Sequence, residues 1–231
     1  MEEKMDQILA IILNTNGIVE RLESEFKVVK TQVVELQKEV VSIKKELRTV
    51  KESVNRSELA SRNLSVRILG LPVLEDETPS SIIKQAYEKI LKPILTAAKN
   101  NQKLEAIPQQ KTLIEDGYRL KNFQKDNQDR PLPPPVIIKL SNKTIRTIIF
   151  QNKREAIPAP SAAEIARGVK QYFVVEDLTL PTLKKIKELR DDDRVTKVWT
   201  TEGAIRFTLK DTPDVVRKCP GAFAPLSEFI K

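Results

Sequence analysis

Val19-Glu-Arg-Leu22-Glu-Ser-Glu-Phe26-Lys-Val-Val29-Lys-Thr-Gln-Val33-Val-Glu-Leu36-Gln-Lys-Glu-Val40-Val-Ser-Ile43-Lys-Lys-Glu-Leu47-Arg-Thr-Val50-Lys-Glu-Ser-Val54 places an apolar residue every 3.5 positions. With Met5 as heptad position a, the a series runs Met5, Ile12, Val19, Phe26, Val33, Val40, Leu47, Val54. The d series runs Ile8, Thr15, Leu22, Val29, Leu36, Ile43, Val50. Thr15 is the one polar member. A heptad pattern sustained over this length predicts a coiled coil, and a coiled coil needs partner helices. Thr15-Asn16-Gly17 is a weak point, because Gly costs about 1 kcal/mol against Ala inside a helix. The secure coil is therefore expected from Ile18 to Leu59, roughly 60 Å at 1.5 Å per residue.

Positions e and g add orientation. Glu25–Lys30, Glu39–Lys44 and Glu46–Lys51 pair opposite charges across a parallel, in-register assembly. Leu22 and Leu36 at d suit a dimer, whereas β-branched Val29, Ile43 and Val50 at d lean toward three strands. A homotrimer is favoured, with a dimer as the alternative. The oligomerisation surface is then Val19, Leu22, Phe26, Val29, Val33, Leu36, Val40, Ile43, Leu47, Val50 and Val54.

Composition narrows the chemistry. The chain of 231 residues has no His, which removes the usual general base and most zinc sites. The single Cys219 cannot form an internal disulfide and fits a reducing compartment. Asp191-Asp-Asp193 lacks a third fixed ligand or a phosphate-cradling loop, and reads as a loop ending a helix rather than a metal site. No metal, cofactor or nucleophile–base pair is expected, and an enzyme is the weakest of the three function classes. Ile8–Leu13 is a short apolar stretch behind Glu2 and Glu3, so neither a signal peptide nor a membrane span is expected.

The net charge is +8. Residues 1–62 hold 11 Lys+Arg against 11 Asp+Glu, residues 63–169 hold 17 against 11, and residues 170–231 hold 12 against 10. A neutral rod followed by a basic body points to a polyanion, most often nucleic acid. Ordinary solubility charge is the plainer alternative.

After the coil, Leu64-Ser-Val-Arg-Ile-Leu-Gly70-Leu-Pro72 alternates as a strand. Thr78-Pro79 opens a helix with Ile82, Ile83, Ala86, Ile90 and Leu91 on one face, which Pro93 is expected to end or kink. Residues 98–109 read as a loop, Lys111–Asn122 as a strand, and Asn122–Pro135 as an extended loop. Val136–Leu140 is a buried strand, Lys143–Glu155 a helix, Pro158–Ser161 a break and Lys170–Val175 a strand. Leu178–Leu189 is a helix, and Val195–Thr200 with Ala204–Lys210 form a hairpin around Thr201-Glu202-Gly203. Pro213–Cys219 reads as a short helix.

This order resembles the first-open-reading-frame protein of LINE-type retrotransposons over nearly the whole chain. Val66-Arg-Ile-Leu-Gly-Leu-Pro72 is similar to the Leu-Arg-Ile-x-Gly-x-Pro that begins the family's RNA-recognition-type domain. Pro135–Leu140 through Arg154-Glu155 resembles its strand and helix ending in Ala-Arg-Glu, and Glu176-Asp-Leu-Thr-Leu-Pro-Thr-Leu183 its Asp-Leu-Ser/Thr motif. Val198-Trp-Thr-Thr-Glu-Gly-Ala-Ile205 is similar to related transposon and baculoviral C-terminal domains. The resemblance implies an α+β chain: a parallel coiled coil over 1–62, an RRM-like β-α-β-β-α-β domain over 63–168, and a small α/β C-terminal domain over 169–231. It also implies trimers that bind single-stranded RNA and DNA and act as nucleic-acid chaperones in retrotransposon ribonucleoprotein particles, in the cytoplasm with the nucleus as a second location.

Nucleic-acid contacts are assigned accordingly. Arg67 matches the family's strand Arg, against the plain alternative of a surface Arg. Arg154, with Lys153, matches the Arg of Ala-Arg-Glu, against a cation stabilising a helix C-terminus by about 0.3–1 kcal/mol. Lys184, Lys185, Lys187 and Arg190 form a basic stretch, which alone would be a solvated helix face. Aligned from Asp177, the family's Arg pair falls on Ile186 and Lys187, so half is retained. Arg62, Arg119, Arg146, Arg194 and Arg206 are secondary candidates. The first and third strands carry no aromatic residue at Val66–Leu69 and Val136–Leu140, so phosphate contacts with little sequence preference are expected. Tyr118, Tyr172 and Trp199 could stack a base at a cleft between the two domains, although burial in a small core is the expectation for each. Asp177 is expected to cap its helix or orient the domain junction. The competing function is a structural adaptor whose heads bind proteins.

Overall fold

The computed structural model describes all residues except 1, 122, 123, 126–130, 167, 168, 170 and 231, and leaves aside the side chains of 2–4, 6–12, 124, 125, 131, 132 and 166. The heptad residues Ile8 and Ile12 and part of the 122–135 loop therefore lie outside the described residues. The chain is α+β and divides into two units, Met1–Ser53 and Val54–Lys231.

Helix α1 spans Glu2–Ser61 and passes through Gly17 without a break. Every apolar residue expected to form the oligomerisation surface, from Val19 to Val54, is exposed along it, Phe26 by 70%. An uncovered apolar stripe of this length is what partner helices would bury. The stripe stops at Val54. Asn55 is only 6% exposed and Leu59 packs against the second core described below. They stand at heptad positions b and f, so the last turns of α1 dock by the side of the helix that carries no a or d residue.

Strand β1 is Ser65–Leu69. Gly70 follows at φ +84°, where a Cβ would lie 2.4 Å from the carbonyl oxygen of Gln171, so the turn requires glycine. Helix α2 is Pro79–Ala86, opened by a capping box. Thr78 Oγ1 accepts from the Ser81 amide at 3.2 Å, and Ser81 Oγ accepts from the Thr78 amide at 2.9 Å. Of the two outcomes expected at Pro93, an end or a kink, the helix does not end there. A π turn over Tyr87–Leu91 leads into α3, Lys92–Asn100. The Lys92 amide reaches back to the Tyr87 carbonyl, and the wider turn makes room for a ring that would otherwise press on the preceding carbonyls. Burial of Ile90, Leu91, Ile94, Leu95 and Ala98, all 0% exposed, carries the helix past the proline and into part of the segment expected to be loop.

Helix α4 is Gln110–Leu113 and β2 is Ile114–Arg119. Within the expected loop, β3 (Gln124–Lys125) pairs antiparallel with β4 (Pro131–Leu132). Then follow β5 (Val136–Leu140), α5 (Lys143–Ala156), α6 (Ala162–Ala166) and β6 (Phe173–Glu176). Four strands form one sheet in the order β2-β5-β1-β6, every neighbouring pair antiparallel. Val66, Ile68, Val136, Ile138, Leu140 and Val174 meet Ile82, Ile90, Leu91, Ile94, Leu95 and Ile149 in the first core. The sheet runs beyond the 168/169 boundary drawn from sequence, because β6 pairs with β1.

Helix α7 is Leu180–Asp191, β7 is Val195–Thr201, β8 is Ala204–Leu209 and β9 is Arg217–Lys218, with sheet order β7-β8-β9. The helix expected at Pro213–Cys219 is instead a loop and this short edge strand. Leu178, Ile186, Leu189, Val195, Ile205, Phe207, Leu209, Cys219 and Ile230 form the second core. Between β7 and β8, Glu202 and Gly203 take φ of +52° and +77°, as a two-residue hairpin turn requires. Both amides donate to the Glu176 carboxylate, at 2.8 Å and 3.1 Å. Those bonds offset the strain of a left-handed glutamate.

Candidate nucleic-acid interface

The cations selected from sequence separate into two groups. The first is tied to carboxylates or carbonyls. Arg67 points away from Val66 and Ile68, as alternation requires, but its Nη2 donates to Asp177 Oδ1 at 2.8 Å and its side chain is only 15% exposed. Arg62 Nη1 lies 3.6 Å from the same Asp177 oxygen, and its Nη2 pairs with Glu58. Asp177 thus holds two cations together and makes the junction between β6 and α7. It is not the cap of α7, whose N-terminal residue Thr179 has no side-chain cap bond either. Thr179 donates to Asn55 Oδ1 and lies 2.8 Å from Thr182 Oγ1, while Asn55 Nδ2 donates to Thr182 at 3.4 Å. These three buried polar side chains anchor the end of α1 on α7.

Arg119 is engaged completely. A guanidinium has five N–H donors. They go to both Glu77 oxygens (2.7 and 2.6 Å), to the carbonyls of Leu71 and Pro72 (2.9 Å each) and to that of Pro134 (2.7 Å). No donor remains for a phosphate, and Arg119 is corrected from contact residue to structural clamp. Arg146 is likewise buried, donating to Glu176 at 3.1 Å and lying 4.7 Å from the Phe150 ring centroid. Lys153 sits 4.6 Å from the same centroid and donates to the Val174 carbonyl at 2.6 Å. Burial pushes its ammonium pKa down. Lys185 is 5% exposed, on the inward side of α7, and paired with Glu188. It too leaves the expected contact surface, because one-residue steps on a helix turn through about 100°. Arg194 pairs with Asp192 at 2.8 Å, and its hydrogen bonds hold that carboxyl down at about 2. Asp191-Asp-Asp193 therefore closes a helix end, and no metal-ligating cluster occurs among the described residues.

The second group is exposed and unpaired among the described residues: Arg154 at the end of α5, and Lys184, Lys187 and Arg190 on α7. The last three recur at spacings of three and share one face. Arg206 is partly exposed on β8. Its register partners are Trp199 on β7 and Lys218 on β9, and Lys197 lies two residues from Trp199. Lys197 and Lys218 escaped sequence reading. Lys218 fell in an expected helix, and only the pairing of β9 with β8 brings it beside Arg206.

The aromatic residues divide as well. Tyr172 is buried, as expected, at 2% exposure. Tyr118 is 47% exposed, contrary to expectation, because β2 is an edge strand and the tyrosine points away from the first core. Phe173, on the opposite edge strand β6 and unremarked in the sequence, is equally exposed. Trp199 is partly exposed and belongs to neither core.

No protein-family model matches the chain, and no curated protein matches it in sequence. No helix among the described residues is long and apolar enough to cross a membrane.

Proposed function

We propose that this chain is an oligomeric single-stranded nucleic-acid-binding protein, largely indifferent to sequence, acting as a chaperone in ribonucleoprotein assembly for retrotransposition. The observation that carries the reading is the division of its cations. Arg62, Arg67, Arg119 and Arg146 are neutralised by carboxylates, whereas Arg154, Lys184, Lys187, Arg190, Arg206 and Lys218 are left without them among the described residues. Uncompensated cations attract phosphates by counterion release, which carries no sequence information. The antiparallel order β2-β5-β1-β6, with the core helices against the Val66, Ile68 and Ile138 side, supports an RRM-like first domain. The uncovered a/d stripe of α1 supports a coiled coil, and the e/g charge pairs with Val29, Ile43 and Val50 at d favour a parallel homotrimer, with a dimer as the alternative.

In this reading each head holds a strand weakly, and several heads on one coil raise avidity by about 10²–10⁴ over one. Contacts that are strong in sum and labile singly let strands exchange and re-anneal. The work is done in ribonucleoprotein particles of the cytoplasm, with the nucleus as a second site. Filter binding of single-stranded RNA at moderate salt tests the reading. Retention of the RNA is expected, and its absence would leave the protein adaptor as the better account.

A further inference from the structure

Strand β8 alternates. Ile205, Phe207 and Leu209 face the second core, so Arg206 and Thr208 face the other way. Thr208 is only 4% exposed, so the open part of this face begins at Arg206 and runs toward Lys218. The register then builds one cross-strand row, Trp199–Arg206–Lys218, with Lys197–Thr208 beside it. Neighbouring strands are about 4.8 Å apart, which sets the backbone of Arg206 about 5 Å and that of Lys218 about 10 Å across the sheet from that of the tryptophan. The nearest carboxylates in sequence are elsewhere engaged or off the strands: Glu202 pairs with Lys143 at 3.2 Å, and Asp211 and Asp214 lie in the loop after β8. Trp199 contributes to neither core and is partly exposed, so one part of a large aromatic ring is open to solvent among three cations.

We propose that this outer face of the β7-β8-β9 sheet is a base-stacking platform for single-stranded nucleic acid, with Trp199 under a base and Lys197, Arg206 and Lys218 on the flanking phosphates. The proposal rests on the nucleic-acid reading above and adds a site to it. The chemistry fits one occupant: every base has a face that stacks on an indole, and cations beside the ring attract the phosphates that flank the base. α7 packs on the opposite side of this sheet, so the platform is separate from the basic face of that helix.

Trp199 is the only tryptophan in the chain, so its emission reports this face alone. The whole 231-residue chain is titrated with end-labelled oligothymidylate and, in parallel, with an abasic phosphodiester strand of equal length. Label anisotropy reads binding and tryptophan emission reads stacking. Saturable quenching by oligothymidylate, with the midpoint seen by anisotropy and no quenching by the abasic strand, is the expected result. Trp199→Ala is expected to weaken oligothymidylate binding by about 5- to 100-fold and leave the abasic strand unaffected. Arg206→Ala and Lys218→Ala, which keep the reporter, are expected to weaken both strands. Binding by anisotropy with unchanged emission would overturn the platform and leave the nucleic-acid reading standing. No binding of either strand would overturn both. Quenching by polyglutamate but not by oligothymidylate would overturn the platform and assign the face to acidic polypeptides.

Discussion

Arg67 on β1 and Asp177, just after β6, meet at 2.8 Å across 110 residues of sequence, and Asp177 has only 5% of its side chain exposed. The aspartate thereby ties the first sheet to the start of the second core, with Arg62 as a further partner at 3.6 Å. Asp177→Asn leaves the Arg67 charge in a poorly hydrated site. It is expected to lower unfolding free energy by about 3–5 kcal/mol in urea titrations. The double variant Arg67→Met/Asp177→Asn removes both charges and is expected to recover much of that loss. Equal destabilisation by the single and double variants would show that the pair is not what matters.

Arg119 and Arg154 are expected to fail in opposite ways. Arg119→Met breaks the bidentate pair with Glu77 and strands three carbonyls, so stability falls by about 3–5 kcal/mol while RNA affinity of the folded protein holds. Arg154→Ala leaves unfolding within about 0.5 kcal/mol of the parent and weakens binding to all sequences alike. Parallel urea titrations and filter-binding curves separate the two.

The hairpin turn carries a modest, correctable strain. Glu202 holds φ +52°, a conformation that asparagine tolerates better. Glu202→Asn keeps the amide that donates to Glu176, gives up only the exposed pair with Lys143, and is expected to raise stability by about 0.5 kcal/mol. Glu176→Gln removes the charge that those amides and Arg146 share, and is expected to destabilise. Thermal unfolding of both variants checks the opposite signs.

Acid sensitivity should pass through Glu164. Burial pushes its carboxyl up, but hydrogen bonds from Lys89, from the Ser161 amide and from the Ser161 hydroxyl outweigh burial and hold it at about 2. A carboxylate depressed in the folded state contributes stability above its unfolded value, near 4.5, and loses it as pH falls toward 2. Unfolding free energy is therefore expected to decline over that window, and Glu164→Gln to flatten the decline. An unchanged slope in the variant would remove Glu164 from the acid response.

What the sequence disclosed was mostly local. The heptads, the Thr78-Pro79 capping signal, the strand Val136–Leu140 and the Thr201-Glu202-Gly203 turn are each set by neighbours a few residues apart. Pro93 did not stop its helix because burial of Ile94 and Leu95 overrides a breaker when a π turn accommodates the ring. β9 was misread because an edge strand of two residues has no period and depends on β8. The site suffered most from distance. Whether Arg67, Arg119 or Arg146 is available to a phosphate depends on Asp177, Glu77 and Glu176, whose approach no local pattern encodes. Lys184, Lys187 and Arg190 were legible as a helix face, and Lys185 became separable from them once the buried side of α7 was known.

The central claim is that several basic heads act together on one strand. Filter binding of single-stranded RNA over a series of salt concentrations, for the full chain and for the full chain carrying Leu36→Asp and Ile43→Asp in the α1 stripe, tests it most directly. The parent is expected to lose affinity steeply with salt, by about 0.7 in log–log slope for each phosphate contacted. The stripe variant is expected to bind about 10²–10⁴ more weakly and with a shallower slope. Equal affinity and equal slope for the two proteins would contradict the account.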